Sequence, residues 1–434
     1  MNMTFRLIAL AACLAFSACA TSSKSTPSVA REEVLPFLGG QKVHRYEFKN
    51  GLRLLVLQDK TSPTIAYQTW FRVGSRDEDV KYTGLAHLFE HLMFKATKTM
   101  KDGEFDHILE AAGGEGMNAS TSRDYTDYVQ ELPKDQLDLL ARMESDRMVN
   151  LVVDDQQFKT EREVVQNERR YRNENSPDGL MYQEIYERAY STHPYRWPVI
   201  GYEEDLNRMT AKDAAAFYKK HYAPNSATIV IVGDVEPAKA LETVVKYYSG
   251  IPSVELKPNV RKAEPEQKAT ITKRMKLNTQ VEKLMIGFKA PGFSHPDVPA
   301  LMLVRSALAN GKSSRLYKAL VETGVASSVA AYDIDEEDPP PVEHFGEIAA
   351  EHGPDHRPCH RAEAPYRDRA NLLRRGIEII DDGLAHRHQE GAEKSLREPG
   401  RHHHRQRHRK SAQCRTDREA KHADTEQPRA SESA

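Results

Sequence analysis

The apolar residues of this chain recur at helix or strand spacing up to about residue 338, and then the pattern stops. From 339 to 434 the chain holds 11 of its 18 histidines, 15 arginines, no tryptophan and only two aromatic residues, Phe345 and Tyr366. Residues 402–409, His-His-His-Arg-Gln-Arg-His-Arg, are the extreme case. A stretch so poor in apolar side chains buries too little surface to offset the chain entropy that folding costs. Residues 339–434 are therefore expected as a disordered or out-of-frame tail. Three origins fit it: a metal-buffering tail, a polyanion-binding tail, or a shift of reading frame near Pro339. Its abrupt onset, midway through a patterned region, favours the last. What folds must lie before it and be held by a packed core. The four cysteines are Cys13, Cys19, Cys359 and Cys414, so residues 20–340 have no disulfide framework.

A chain of 434 residues allows two ordinary domains. A formal net charge of −2 gives no argument for nucleic acid or an anionic membrane as partner. The N-terminus differs from the body. Arg6 precedes an apolar run at 7–16 and then Ser17, Ala18, Cys19 and Ala20. This reads as a secretory signal over 1–19, and implies export to the periplasm. Two cleavage readings stand. Ala18-Cys19-Ala20 fits the small-x-small pattern and makes Thr21 the mature start. Phe16-Ser17-Ala18-Cys19 resembles a lipoprotein signal, with Cys19 lipidated and the protein attached to the outer membrane. The apolar run is short for an uncleaved membrane anchor. The polar stretch that follows, 20–41, is read as a tether.

Between these ends, strands and helices alternate. Residues 51–58, 64–73, 125–132 and 227–232 have strand character. Residues 85–96 are helical, with Leu85, Leu88, Phe89, Leu92, Met93 and Ala96 at helix spacing. Helices are also expected at 104–112, 134–148 and 155–173. A Pro-, Lys- and Glu-rich stretch, 237–265, reads as a linker. A second patterned region, 266–338, follows, with a strand at 281–288 and helices at 298–310 and 314–323. No Gly-rich phosphate loop is present, and the fold class is read as α+β.

Residues 87–91 read His-Leu-Phe-Glu-His. On a helix, His87 and His91 lie one turn apart and can meet one ion. Glu90 shares that side, while Leu88, Phe89, Leu92 and Met93 face the other way. A carboxylate beside two histidines, and not itself a ligand, can take a proton from a zinc-bound water. The alternative is a pair of surface histidines, against which the clean split of polar and apolar faces argues. Catalytic zinc takes three protein ligands and leaves one position open. The third can come from Glu161, Glu163, Glu168 or Glu174. Glu161 and Glu168 share a helix face, and spacing alone does not choose between them.

The inverted order His-x-x-Glu-His resembles that of the pitrilysin, insulysin and mitochondrial processing peptidase family. Residues 84–95, Gly-Leu-Ala-His-Leu-Phe-Glu-His-Leu-Met-Phe-Lys, resemble its zinc helix. Residues 161–168, Glu-Arg-Glu-Val-Val-Gln-Asn-Glu, resemble its distal ligand segment. The resemblance implies Glu168 as third ligand, Glu161 as a carboxylate supporting a ligating histidine, and one zinc per chain. Asn118, Ala119, Ser120 and Thr121, with Tyr125 to Tyr128, are similar to the family's substrate-binding edge strand. Residues 193–201 resemble a family loop, read as packing. Residues 311–317 resemble a segment of the family's second, non-catalytic domain. The likeness covers roughly 42–335 and is most specific over 84–168.

It implies two related α+β sandwich domains, mainly antiparallel sheet packed with helices. The catalytic one spans 42–236, and the second, over 266–338, is incomplete. It also implies a zinc endopeptidase or oligopeptidase whose peptide substrate adds as a strand. A catalytically weak subunit, or a peptide-binding protein that needs a complete related partner in a homo- or hetero-dimer, is the alternative. A metal-binding protein that uses the His-rich tail is the third class.

Overall fold

The computed structural model describes residues 28–256, 264–279, 281–333 and 344–352. The signal, Cys19, the start of the tether and everything beyond 352 lie outside the described residues.

Seven strands form one sheet: β1 (Val29–Pro36), β2 (Lys42–Phe48), β3 (Arg53–Gln58), β4 (Thr64–Phe71), β5 (Glu115–Thr121), β6 (Thr126–Pro133) and β7 (Ala227–Gly233). The order is β1-β2-β3-β7-β4-β6-β5. Only the β3–β7 pair is parallel; every other neighbouring pair is antiparallel. The centre shows why these residues form strands. Leu54 and Val56, Ile65, Tyr67 and Phe71, and Ala227, Ile229 and Ile231 are buried on alternate positions. A period of two puts them all on one face.

Helices cover that face: α1 (Leu85–Leu92), α2 (Glu104–Ala111), α3 (Leu137–Asn150), α4 (Asp155–Arg169), α6 (Glu203–Arg208), α7 (Ala211–His221) and α8 (Pro237–Tyr248), while α5 (Pro177–Ala189) buries Tyr186 and Ala189 in a separate cluster with Tyr190 and Tyr195. A single apolar cluster joins the sheet to α1, α3, α7 and α8. The fold class is α+β, as expected.

Two stretches read as connections belong to this layer. Val29–Pro36, within the expected tether, is the edge strand β1. An edge strand exposes most of its side chains, so it lacks an apolar pattern. Pro237–Tyr248, within the expected linker, is α8, with Pro237 in its first turn and Ala240, Val244 and Tyr248 buried. Asn50 donates to the carbonyls of Tyr248 (2.8 Å) and Ile251 (3.0 Å), and so fastens the end of α8 to the β2–β3 turn.

The connection is fixed again further on. The Glu264 carboxylate accepts from the amides of Ser191 (2.6 Å), Thr192 (2.9 Å) and His193 (2.8 Å). It also accepts from the hydroxyls of Ser191 (2.7 Å) and Thr192 (3.0 Å). Burial pushes this carboxyl up, but the five donors outweigh it and hold the pKa at about 2.

Beyond it, β8 (Glu282–Ala290), α9 (Val298–Ala309), β9 (Ser328–Asp333) and β10 (His344–His352) form a second region. Its sheet has the order β8-β10-β9, antiparallel throughout. β10 pairs along the whole of β8, although it falls in the stretch where the apolar pattern has ended. The helix expected at 314–323 is helical over 315–321, its second part a π turn, Tyr317–Val321. Lys283 meets Asp178 of α5 at 2.8 Å. No helix among the described residues is long and apolar enough to cross a membrane.

Candidate metal centre

The site begins with how α1 is held. Leu85, Ala86, Leu88, Phe89 and Leu92 are buried, which fixes the helix's rotation and leaves His87, Glu90 and His91 on the other side. Its first turn is tight against a neighbouring loop. Gly84 has φ +93°, and a Cβ there would lie 2.5 Å from the carbonyl oxygen of Ile200. Gly201 has φ +79°, and a Cβ there would lie 2.1 Å from that of Thr83. Only glycine permits both the conformation and the approach. The buried Glu78 carboxylate accepts from the amides of Gly84 (2.9 Å) and Ala86 (2.7 Å), which an isolated helix start leaves unpaired.

Helix α4 supplies the second wall. Asp154 caps it, accepting from the amide of Gln157 at 2.8 Å. Phe158 and Val165 are buried, so Glu161 and Glu168 on the same side turn towards α1. Glu168 Oε2 lies 3.4 Å from His91 Nε2 and 3.7 Å from His87 Nε2. One ligand atom from each of the three residues lies within 4.8 Å of the other two. Tetrahedral zinc with bonds of about 2.0–2.1 Å needs ligand atoms about 3.3 Å apart. Two imidazole nitrogens and a carboxylate oxygen at these separations fit such an ion, and they are donors that zinc accepts.

The electrostatics favour a cation. Burial opposes charge on His91, yet the carboxylates of Glu161, Glu168 and Glu90 raise its pKa to about 9. Burial and the neighbouring His91 push His87 down, which favours the neutral form that can bind a metal. Close contact with His91 pulls Glu168 below the usual carboxylate range against the effect of burial.

Glu161 is not one of the three. Its Oε2 lies 3.6 Å from His91 Nδ1, and its Oε1 pairs with Lys95 at 2.8 Å. Burial raises this carboxyl, and contacts with His91 and Lys95 pull it down further. Arg172 meets Glu168 Oε1 at 2.8 Å, leaving Oε2 towards the histidines.

Glu90 stands beside the trio. Burial raises its pKa, only partly offset by a 2.6 Å hydrogen bond that Thr121 donates to its Oε2. Thr121 ends β5, which is the edge of the seven-stranded sheet. Asn118 and Ser120 point outward, and Ala119 and Thr121 are half-buried. The strand therefore brings one of its four expected substrate-binding residues onto the carboxylate of α1. His193 is buried and its Nδ1 accepts from the Tyr195 amide at 3.2 Å, a packing position as expected. Sequence reasoning missed Glu78, Lys95, Arg172 and the Thr121–Glu90 contact. Lys95, one turn after His91, and Arg172, one turn after Glu168, carried a readable signal.

On this α+β fold, α1 and α4 thus bring together two imidazoles and a carboxylate, a donor set that a metal ion could take. The insulinase (peptidase family M16) model matches residues 53–202, and the peptidase M16 inactive domain model matches 208–344. The chain belongs to the M16 family. Zinc protease PqqE of Helicobacter pylori is 37% identical over 279 residues, which is 63% of this chain and 62% of that relative. The match thus spans less than two thirds of that relative's length. The crystal structure of a protease from Helicobacter pylori superposes with a TM-score of 0.70 at 31% identity, covering 82% of this chain and 80% of that one. A peptidase M16 inactive domain from Pseudomonas fluorescens shares the fold, with a TM-score of 0.69 at 18% identity and coverage of 79% and 80%.

Proposed function

We propose that the chain is a zinc-dependent endopeptidase or oligopeptidase that hydrolyses peptides or unfolded segments. The meeting of His87, His91 and Glu168 around one point, with Glu90 beside it and outside the trio, carries the reading. His87, His91 and Glu168 would hold one zinc. When bound there, zinc would act as a Lewis acid and lower the pKa of a water on it. Glu90 takes the proton as general base and later passes it to the leaving amine. Its raised pKa brings it nearer to neutrality than an ordinary glutamate. Glu161 orients His91 from the Nδ1 side and is itself held by Lys95. The open edge of β5 offers main-chain groups to an extended peptide, so affinity would come without strict sequence choice. The N-terminal pattern supports export to the periplasm, with Cys19 as a lipid attachment point.

The deciding experiment measures fluorogenic peptide hydrolysis and zinc content for the wild type, with and without a chelator, and for Glu90→Gln. The amide is nearly isosteric with the carboxylate but cannot accept the proton. Hydrolysis should fall by about 10²-fold or more while zinc stays bound. Activity near wild type in this variant, or activity that survives zinc removal, would end the reading.

One observation favours a second reading, in which the chain is a weakly active subunit that needs a related partner. Leu303 on α9 and Phe288 on β8 are open to solvent, 72% and 46% exposed, where a second layer would normally lie.

A further inference from the structure

The edge strand β5 has one loose end and one fixed end. At the loose end, the register with β6 shifts between Glu115 and Asn118, and Gly116 sits there with φ +63°. Glu115, Gly116 and Asn118 are exposed. At the fixed end, the turn after Thr121 is tied down repeatedly. The Ser122 amide donates to the Tyr125 carbonyl at 2.8 Å. The Ser122 hydroxyl accepts from the amides of Asp124 and Tyr125, both at 3.0 Å. The amides of Ser75 and Arg76 donate to the carbonyls of Ser122 (3.2 Å) and Arg123 (3.0 Å). Gly74 allows this approach, since a Cβ there would lie 2.4 Å from the Arg123 oxygen. The Arg123 guanidinium lies over the Tyr186 ring of α5, 3.5 Å from its centre. Thr126, opposite Thr121 in the ladder, donates to the Val73 carbonyl at 2.9 Å. The fixed end is the one that touches Glu90.

We propose that Thr121 is a positioning residue for Glu90: its hydroxyl, donating to Oε2, fixes the orientation of the carboxylate. The inference rests on Glu90 as the base. A glutamate side chain has three rotatable bonds, and the two oxygens of a free carboxylate exchange by rotation about the last. A donor at 2.6 Å on one oxygen opposes that rotation and so orients the carboxylate. Because the donor belongs to the edge strand, the base is fastened to the surface that would receive the peptide. Of the four residues that resemble the family's substrate edge, Thr121 therefore serves the base rather than the peptide.

The test compares full-length, zinc-loaded Thr121→Val and Thr121→Ser in peptide hydrolysis, with zinc content measured on each. Valine keeps the shape and removes the donor; serine keeps the donor. Thr121→Val should lower kcat by about tenfold to a hundredfold. KM should stay within about twofold of the wild type, because ground-state binding is untouched. Zinc should be retained, and Thr121→Ser should recover most of the lost kcat. A rise in KM at unchanged kcat would make Thr121 a substrate contact and overturn the proposal, as would a serine variant no better than valine. Thr121→Ala gives the same readout if valine disturbs the fold. Wild-type kcat in Thr121→Val beside an inactive Glu90→Gln removes this inference alone, whereas an active Glu90→Gln removes the base on which it rests.

Discussion

Helices α1 and α9 are both rich in apolar residues, and they end in opposite surroundings. In α1, six of eight residues are buried, His87 among them. In α9, none of the twelve is, and Leu301, Met302, Leu303 and Val304 are all exposed. The sheets differ in the same way. Leu54, Val56, Ile229 and Ile231 in the seven-stranded sheet have no accessible surface, whereas no described residue of β8 is fully buried. Apolar pattern states which side of an element requires cover; burial also requires a layer to provide it. Precise positioning of ligands is possible only where that layer exists, and the three proposed zinc ligands all sit on helices that have one.

Phe89→Ala should have the largest effect. Phe89 has no exposed surface and packs against Phe217, Tyr218 and Tyr222, with ring centres 5.7, 5.9 and 5.1 Å away. The cavity should cost about 3–5 kcal/mol in urea unfolding. A loss below about 1 kcal/mol would mean that the first region is no better packed than the second.

Glu264, on the connection between the two regions, should give an intermediate effect. Its folded pKa of about 2 lies below the ordinary glutamate value of about 4.3. The sign follows from the depressed value: its contribution is complete above about pH 5 and is lost as the pH falls towards 2. Exchange of the Ser191, Thr192 and His193 amides should therefore quicken on acidification beyond the intrinsic trend. In Glu264→Gln it should be about tenfold faster already at pH 7, with that extra acid dependence gone. Equal protection in wild type and variant would mean that the anchor bears no strain.

The smallest effect belongs to Leu303→Ala, at 72% exposure. The change should stay within about 0.5 kcal/mol in the same urea assay. A loss of 2 kcal/mol or more would show that α9 is covered after all, and would erase the contrast with α1.

The same physics decides what could be read from the sequence. His87, Glu90 and His91 were legible because they and the apolar residues between them fall on one helix, where spacing gives direction. Glu168 was not legible from spacing, since Glu161 shares its face; only likeness to a family separated them, and in the structure both approach His91 from opposite ring nitrogens. Glu78 and Thr121 were invisible in their roles. Glu78 meets the two amides of Gly84 and Ala86 at the start of α1, and Thr121 meets Glu90; no periodicity encodes either contact. β1 was lost because edge strands need little apolar surface, and α8 because its Pro, Lys and Glu content masked the recurrence of Ala240, Val244 and Tyr248.

The five donors around Glu264 also divide a distance. α8 ends at Tyr248 and β8 begins at Glu282. Were that stretch tied only at its ends, the second sheet would search a volume set by its whole length. Pinned at Glu264, it is held on a leash of roughly half that contour, and its effective concentration beside α5 rises accordingly. A proton on one carboxylate would lengthen the leash and leave the Lys283–Asp178 pair to hold the second sheet against α5, while every residue within both sheets stayed as it was.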